Sequence, residues 1–265
     1  MIKAIFFDID GTLISMKTRK ILPSTLNTLN ILRSNGVKLF ISSGRPPIQI
    51  PLLGEEFNAF PWDGWILLNG QYCMDADKNV YRDHPIPAEN LRELIPWIKE
   101  TADYPCTFNE LEYSYDIHFN KSMYEYLHSI GKDDRMPPID NPDRCFTHPT
   151  YQICPYFEQE KDAEFLKHAK GLKSARWNPN FADIIPEEGG KPEGMKVTLE
   201  RYGIKREECM AFGDGGNDIT MLEYAGIGVA MGNAADDVKE HADFVTVDCE
   251  KDGITYAIQH LHILG

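Results

Sequence analysis

No stretch of this chain is apolar for long enough to span a bilayer. Runs such as Ile66–Leu68 and Ile227–Ala230 are short and interrupted, against the roughly 20 residues a helical span needs. Clustered cysteines are also missing. The six that occur, Cys73, Cys106, Cys145, Cys154, Cys209 and Cys249, are scattered, which excludes a zinc knuckle, a redox dithiol motif and a disulfide framework and leaves ordinary reduced thiols. Of the eight histidines only His260 and His262 lie close together, and with no third ligand in view the pair reads as solvent-facing. Lysine and arginine form no run: 27 basic residues against 41 acidic ones give a net charge of −14, which excludes the electrostatic footprint of a nucleic-acid partner. The N-terminal residues lack the apolar core and small-residue cleavage site of a secretory signal, so the expected location is the cytoplasm and no membrane partner is expected. Internal repeats and low-complexity segments are absent.

The remaining composition is that of a globular protein. With 42 % hydrophobic and 26 % charged residues over 265 positions, area scaling gives burial of about three quarters of the unfolded surface without staples. Ile2–Phe7 is apolar apart from Lys3, the pattern of a strand buried on both faces of a parallel sheet. A helix is predicted from Pro23-Ser24 to a stop at Asn35-Gly36, followed by a strand at Val37–Ile41. The C-terminal portion repeats the alternation: helix near Lys191–Tyr202, strand Cys209–Phe212, helix near Asp218–Tyr224, strand Ile227–Ala230, helix near Ala234–His241, strand Phe244–Val247. Between them, from about His84 to Ile185, the chain is richer in Tyr, Pro and His, with helical stretches at Glu89–Asp103, Met123–Ile130 and Glu160–Ala169, a short run at Tyr151–Phe157 and a loop at Met136–Pro149. The expected fold is α/β, a Rossmann-like parallel-sheet core over residues 1–83 and 186–265 with an inserted α+β cap domain over 84–185.

Ligands of an open α/β sheet bind beyond the carboxyl ends of its strands. Three such ends carry unusual residues: Asp8-Ile9-Asp10-Gly11-Thr12-Leu13 after the first strand, Ser42-Ser43-Gly44-Arg45 after the second, and Gly213-Asp214-Gly215-Gly216-Asn217-Asp218 after a later one. A lone Asp-Gly reads as a turn or cap. Four aspartates converging on one edge, Asp8, Asp10, Asp214 and Asp218, repel one another unless a cation intervenes. A hard divalent ion with oxygen ligands answers that need, and Mg²⁺ is the expected cofactor.

These residues resemble the haloacid dehalogenase superfamily of phosphatases. Asp8–Leu13, Ser43, Lys191 and Gly213–Asp218 match its four signature elements in order, and Ser43-Gly44-Arg45-Pro46, Asn69-Gly70, Phe212–Leu222 and Val229–Asn233 are similar to its Cof-like sugar-phosphate branch. The resemblance implies that Asp8 is the nucleophile and Asp10 the general acid and base. It implies that Asp8, the Asp10 carbonyl and Asp214 hold the metal, while Asp218 either holds metal-bound waters or orients Lys191. Ser43 and Gly44, the latter at an expected helix start, would bind the phosphate together with Lys191 and Asn217. Two departures stand out: Ser43 occupies a position more often Thr, and Lys196 competes with Lys191, which is preferred because it opens the predicted helix ahead of Pro192. Asn69-Gly70 reads as a hairpin turn close to the pocket, and Trp177–Phe181 as packing rather than a ligand cage. The 147 positions between Ser43 and Lys191 hold the cap, which the family analogy makes the chooser of the leaving group. The activity implied is Mg²⁺-dependent hydrolysis of small phosphorylated metabolites, sugar phosphates above all. A phosphomutase, a phosphate-binding regulator without turnover and, more remotely, a receiver domain are the alternatives.

Overall fold

Residues 4–7, Ala-Ile-Phe-Phe, are all buried and form the strand β1 (Ala4–Phe7) of a computed structural model that describes residues 1–101, 104–119, 123–124, 127–128 and 137–264. The chain continues through α1 (Pro23–Ser34), β2 (Lys38–Ser42), α2 (Glu55–Ala59), β3 (Gly64–Leu67), β4 (Tyr72–Asp75) and β5 (Val80–Asp83). There follow α3 (Ala88–Leu91), α4 (Leu94–Glu100), β6 (Cys106–Asn109), β7 (Ser114–Ile117), β8 (Gln152–Pro155), α5 (Asp162–His168), β9 (Leu172–Asn178) and β10 (Phe181–Pro186). The last stretch holds α6 (Lys191–Tyr202), β11 (Cys209–Gly213), α7 (Ile219–Tyr224), β12 (Ile227–Ala230), α8 (Asp236–Glu240), β13 (Phe244–Val245) and α9 (Gly253–His260). Two compact units result: Met1–Arg45, Gln49–Asp83 and Gly189–Gly265 make the first, Pro46–Ile48 and His84–Glu188 the second.

The first unit is built on one eight-stranded sheet in the order β13-β12-β11-β1-β2-β3-β4-β5. Strands β13 to β3 run parallel, and β4 and β5 extend the sheet antiparallel. Alternation along each strand assigns its side chains to opposite faces. Ile5, Phe7, Leu39, Ile41, Met210 and Phe212 join Leu29 and Leu32 of α1 and Ile254 and Ile258 of α9 in one core. Ala4, Phe6, Phe40 and Ala211 join Met195 and Leu199 of α6 and Met221 and Leu222 of α7 in another. A sheet clothed on both faces explains why its central strands read as unbroken apolar runs. The same alternation turns residue 8, the first after β1, toward the α6 face.

The second unit is an antiparallel sheet in the order β7-β6-β8-β10-β9. Leu91, Leu94, Ile98 and Phe165 of its helices pack on one face against Phe108, Tyr115, Ile153 and Ile184. The helix expected over Glu89–Asp103 is broken between Leu91 and Leu94. Pro96 is the reason: its ring collides with the carbonyl four residues back and it has no N–H to donate, so a continuous helix cannot pass. Residues 102–103 and half of the helix expected at Met123–Ile130, residues 125–126 and 129–130, lie outside the described residues, as does Met136 at the start of the expected loop. That loop contains one 3₁₀ turn, Pro142–Phe146. Trp177 stands edge-on to Phe181 at 4.9 Å across the β9–β10 turn. No helix among the described residues is long and apolar enough to cross a membrane.

Phe7 and Phe212 stack at 5.3 Å on neighbouring strands, both fully buried. Phe212→Ala is expected to lower unfolding stability by about 3–5 kcal/mol, read as a fall in the urea midpoint at constant slope. A loss below about 1 kcal/mol would contradict the packing described for this face.

Candidate active site

Three adjacent parallel strands deliver the site. Phe7 pairs with Ile41 of β2 and with Phe212 of β11, so the residues just beyond them, Asp8, Ser43 and Asp214, emerge at one sheet edge. The Asp8 N–H donates to the Phe212 carbonyl at 2.9 Å, prolonging the ladder by one residue.

Lys191 is the first residue of α6, ahead of Pro192. Its ammonium, wholly buried, donates to Asp8 Oδ1 at 2.6 Å and to Asp218 Oδ1 at 2.5 Å. The rival Lys196 lies exposed on the same helix. Asp218 spends its other oxygen on the N–H groups of Asp214 and Gly215, at 3.0 and 2.9 Å, which shapes the Gly213–Asp218 loop. Asp214 accepts the Thr12 hydroxyl at 2.7 Å and, through its other oxygen, the Asn233 amide at 3.3 Å. Asp8, Asp214 and Asp218 each bring a carboxylate oxygen within 4.8 Å of the others. Residue 11 must be glycine here: its φ is +85°, and a Cβ would stand 2.2 Å from Asp214 Oδ2.

Three carboxylates face one ammonium in a pocket with little solvent. Burial pushes the Asp8 carboxyl up to about 7; Lys191 opposes that rise, and Asp218 and Asp10 add to it. Burial, then Asp8 and Asp218, hold Asp214 well above the usual carboxylate range. Burial alone would lower Lys191, but the two carboxylates beside it outweigh that effect and keep it cationic. The uncompensated negative charge and the all-oxygen donor set fit a hard divalent cation, which Asp8 and Asp214 would hold. Asp218, whose Oδ1 accepts from the Lys191 ammonium while its Oδ2 folds the loop, is placed to orient Lys191.

The other expected site residues lie around this centre. Asp10 stays outside the carboxylate cluster: Arg45 forks it, with Nε 2.6 Å from Oδ2 and Nη2 2.7 Å from Oδ1. Ser43 is buried, its N–H donating to the Ile66 carbonyl at 2.8 Å and its carbonyl accepting from the Asn69 N–H at 3.0 Å. Gly44 does not open a helix, contrary to expectation. It lies in a bend, and a 3₁₀ segment begins only at Pro47. Pro46 and Pro47 account for the delay, since a residue preceding proline is driven from the helical region. The Asn217 amide donates to Asn69 Oδ1 at 3.0 Å. Asn69, at φ +53°, sits in the turn joining β3 to β4, so that turn is a hairpin connection and a neighbour of the Gly213–Asp218 loop as well. Thr12, Arg45, Asn69 and Asn233 thus take part without having been given roles from sequence. All four stand inside quoted motifs, yet nothing in the chain order ties Arg45 to Asp10, 35 positions earlier.

The family model for haloacid dehalogenase-like hydrolases matches residues 5–258. The chain is 33 % identical over 265 residues to the putative phosphatase YkrA of Bacillus subtilis (strain 168), covering 99 % of this chain and 98 % of that one. Among solved structures, the subclass IIB sugar phosphatase BT4131 superposes with a TM-score of 0.89 at 36 % identity, covering 98 % of this chain and 99 % of its own. BT1666 from Bacteroides thetaiotaomicron, a phosphatase of the same superfamily, superposes at 0.91 with 34 % identity, covering 99 % and 96 %.

The electrostatics give a pH test. A carboxyl raised to about 7 in the folded protein, against about 3.9 unfolded, contributes stability that is present at low pH and lost as pH climbs through about 7. Asp214 shifts in the same direction. A divalent cation held by these carboxylates would relieve that penalty, so the rise in melting temperature on adding Mg²⁺ to EDTA-treated protein should be larger at pH 8 than at pH 5. An equal rise at both would refute the assignment of these carboxylates to a cation. Gly11→Ala should abolish the Mg²⁺-dependent rise, because the new methyl displaces Asp214.

Proposed function

The chain belongs to the haloacid dehalogenase-like hydrolase family, and on that premise we propose that it is a Mg²⁺-dependent phosphatase of small phosphorylated metabolites, sugar phosphates first, working in the cytoplasm through an aspartyl-phosphate on Asp8. The observation that carries this reading is the buried Lys191 ammonium between Asp8 and Asp218, with the Asp214 carboxylate alongside. The sugar-phosphate preference is supported by the likeness to BT4131, itself described as a sugar phosphatase.

In the first half-reaction an Asp8 oxygen bonds to phosphorus while the bond from phosphorus to the leaving oxygen breaks, and Asp10 gives that oxygen a proton. In the second, water attacks phosphorus, Asp10 takes the water's proton, and the bond to Asp8 breaks to release inorganic phosphate. Lys191 holds the Asp8 carboxylate in place and sets positive charge beside the transferring group. Asp218 keeps Lys191 aimed. Ser43, the Gly44 N–H and Asn217 are assigned to the phosphate oxygens, and Asp214 with Asp8 and the Asp10 carbonyl to the metal. A bound Mg²⁺ supplies charge neutralisation for the phosphoryl oxygens. Choice of leaving group is assigned to the inserted residues 84–185.

A phosphate-release screen over sugar phosphates, nucleotides and cofactor phosphates with Mg²⁺ should find turnover on sugar phosphates without isomer formation. EDTA should stop release and Mg²⁺ restore it. Asp8→Asn should lower kcat by at least about 10³-fold while circular dichroism reports an intact fold; retained turnover would remove Asp8 from the nucleophile's role.

A further inference from the structure

The proposed acid and base, Asp10, is held by a residue to which neither the family likeness nor the mechanism above gives a task. Both its oxygens accept from one guanidinium, at 2.6 and 2.7 Å, and both side chains are largely shielded, 17 % exposed for Arg45 and 20 % for Asp10. Such a parallel fork fixes direction as well as distance. It removes the rotation about χ1 and χ2 that an aspartate on a loop would otherwise have.

Arg45 is itself anchored: its Nη1 donates to Gln49 Oε1 at 3.3 Å, and its backbone is held as well. The Arg45 N–H donates to Ser43 Oγ at 3.2 Å, and its carbonyl accepts from the Leu68 N–H at 3.1 Å. Ser43 in turn is pinned between Ile66 and Asn69, as described above. Arg45 therefore ties the loop after β1 to the ends of β2 and β3.

We propose that Arg45 is a positioning residue that aims the Asp10 carboxylate at the leaving oxygen, an inference that rests on the phosphatase reading. As the bond from phosphorus to the leaving oxygen breaks, one Asp10 oxygen passes its proton to that oxygen and keeps the electron pair. The carboxylate so formed is the species that both Arg45 N–H groups hold. A lysine could hold one oxygen only and would leave the other free to swing.

The test exploits the leaving group. Alkoxide departure needs the proton from Asp10, whereas p-nitrophenolate departs as a stable anion and needs it little. kcat/KM reports the step in which the leaving group departs. Arg45→Ala should therefore lower kcat/KM on a hexose 6-phosphate by at least about 10-fold, within the range that general acid catalysis contributes, and on p-nitrophenyl phosphate by clearly less. Arg45→Lys, which keeps the charge and guards against a folding failure of the alanine variant, should fall between. In an Asp10→Asn background, Arg45→Ala should cost the hexose phosphate nothing further. Equal losses on both substrates would mean that Arg45 serves the phosphate or the fold, and would overturn the proposal, as would an additive loss in the Asp10→Asn background. Absence of phosphate release by the wild-type protein from either substrate would show instead that the phosphatase reading has failed, and the role of Arg45 with it.

Discussion

The contact on which the site depends is a buried ammonium between two carboxylates. Lys191, at the start of α6, meets Asp8 beyond β1 and Asp218 in the loop beyond β11. Removing one partner of a buried pair typically costs about 3–5 kcal/mol, because the other charge is left uncompensated. Here a single cation faces three acids, so even the intact cluster carries surplus negative charge. That surplus is a liability for the fold and would be an asset for chemistry, since it favours a hard cation at the place proposed to receive the phosphate.

The sheet makes this gathering possible. Side chains alternate from face to face along β1, and Phe7 goes to the α1 and α9 core, so Asp8 turns to the face where α6 begins. Had β1 been one residue longer or shorter, the carboxylate would have turned the other way. Backbone economy at the rim matters as much. Gly11 allows the Asp214 carboxylate to come closer than any side chain would permit, and Asp218 folds its own loop by accepting two of its N–H groups.

Arg45 and Asn69 extend the same logic outward. Asn69 connects the β3–β4 turn to Asn217, and Arg45 connects the end of β2 to Asp10. The strand-end loops are therefore cross-braced, and the groups proposed to handle the phosphoryl transfer are held relative to one another by hydrogen bonds rather than by loop stiffness. Enzymatic acids and bases need placement of this kind, because a carboxylate displaced by an ångström loses much of its effect.

Much of this was legible in one dimension. Parallel strands buried on both faces announce themselves as apolar runs, and Ile2–Phe7, Val37–Ile41 and Cys209–Phe212 correspond to strands in the structure. The helix at Lys191–Tyr202 was marked by Pro192 near its start. The second unit was far less legible, because β6, β7, β9 and β10 mix polar and charged residues such as Thr107, Asp116, Lys173 and Asp183 among their apolar ones, and Pro96 splits a periodic stretch into two helices. By itself, then, the order of residues determined which strand ends would carry acids, hydroxyls and glycines, since period and punctuation are local properties. Only the tertiary structure decided which charge would meet which, Lys191 with Asp8 and Asp218 but Arg45 with Asp10, because such pairings depend on strand order and sheet face, and those are set by packing across distant parts of the chain.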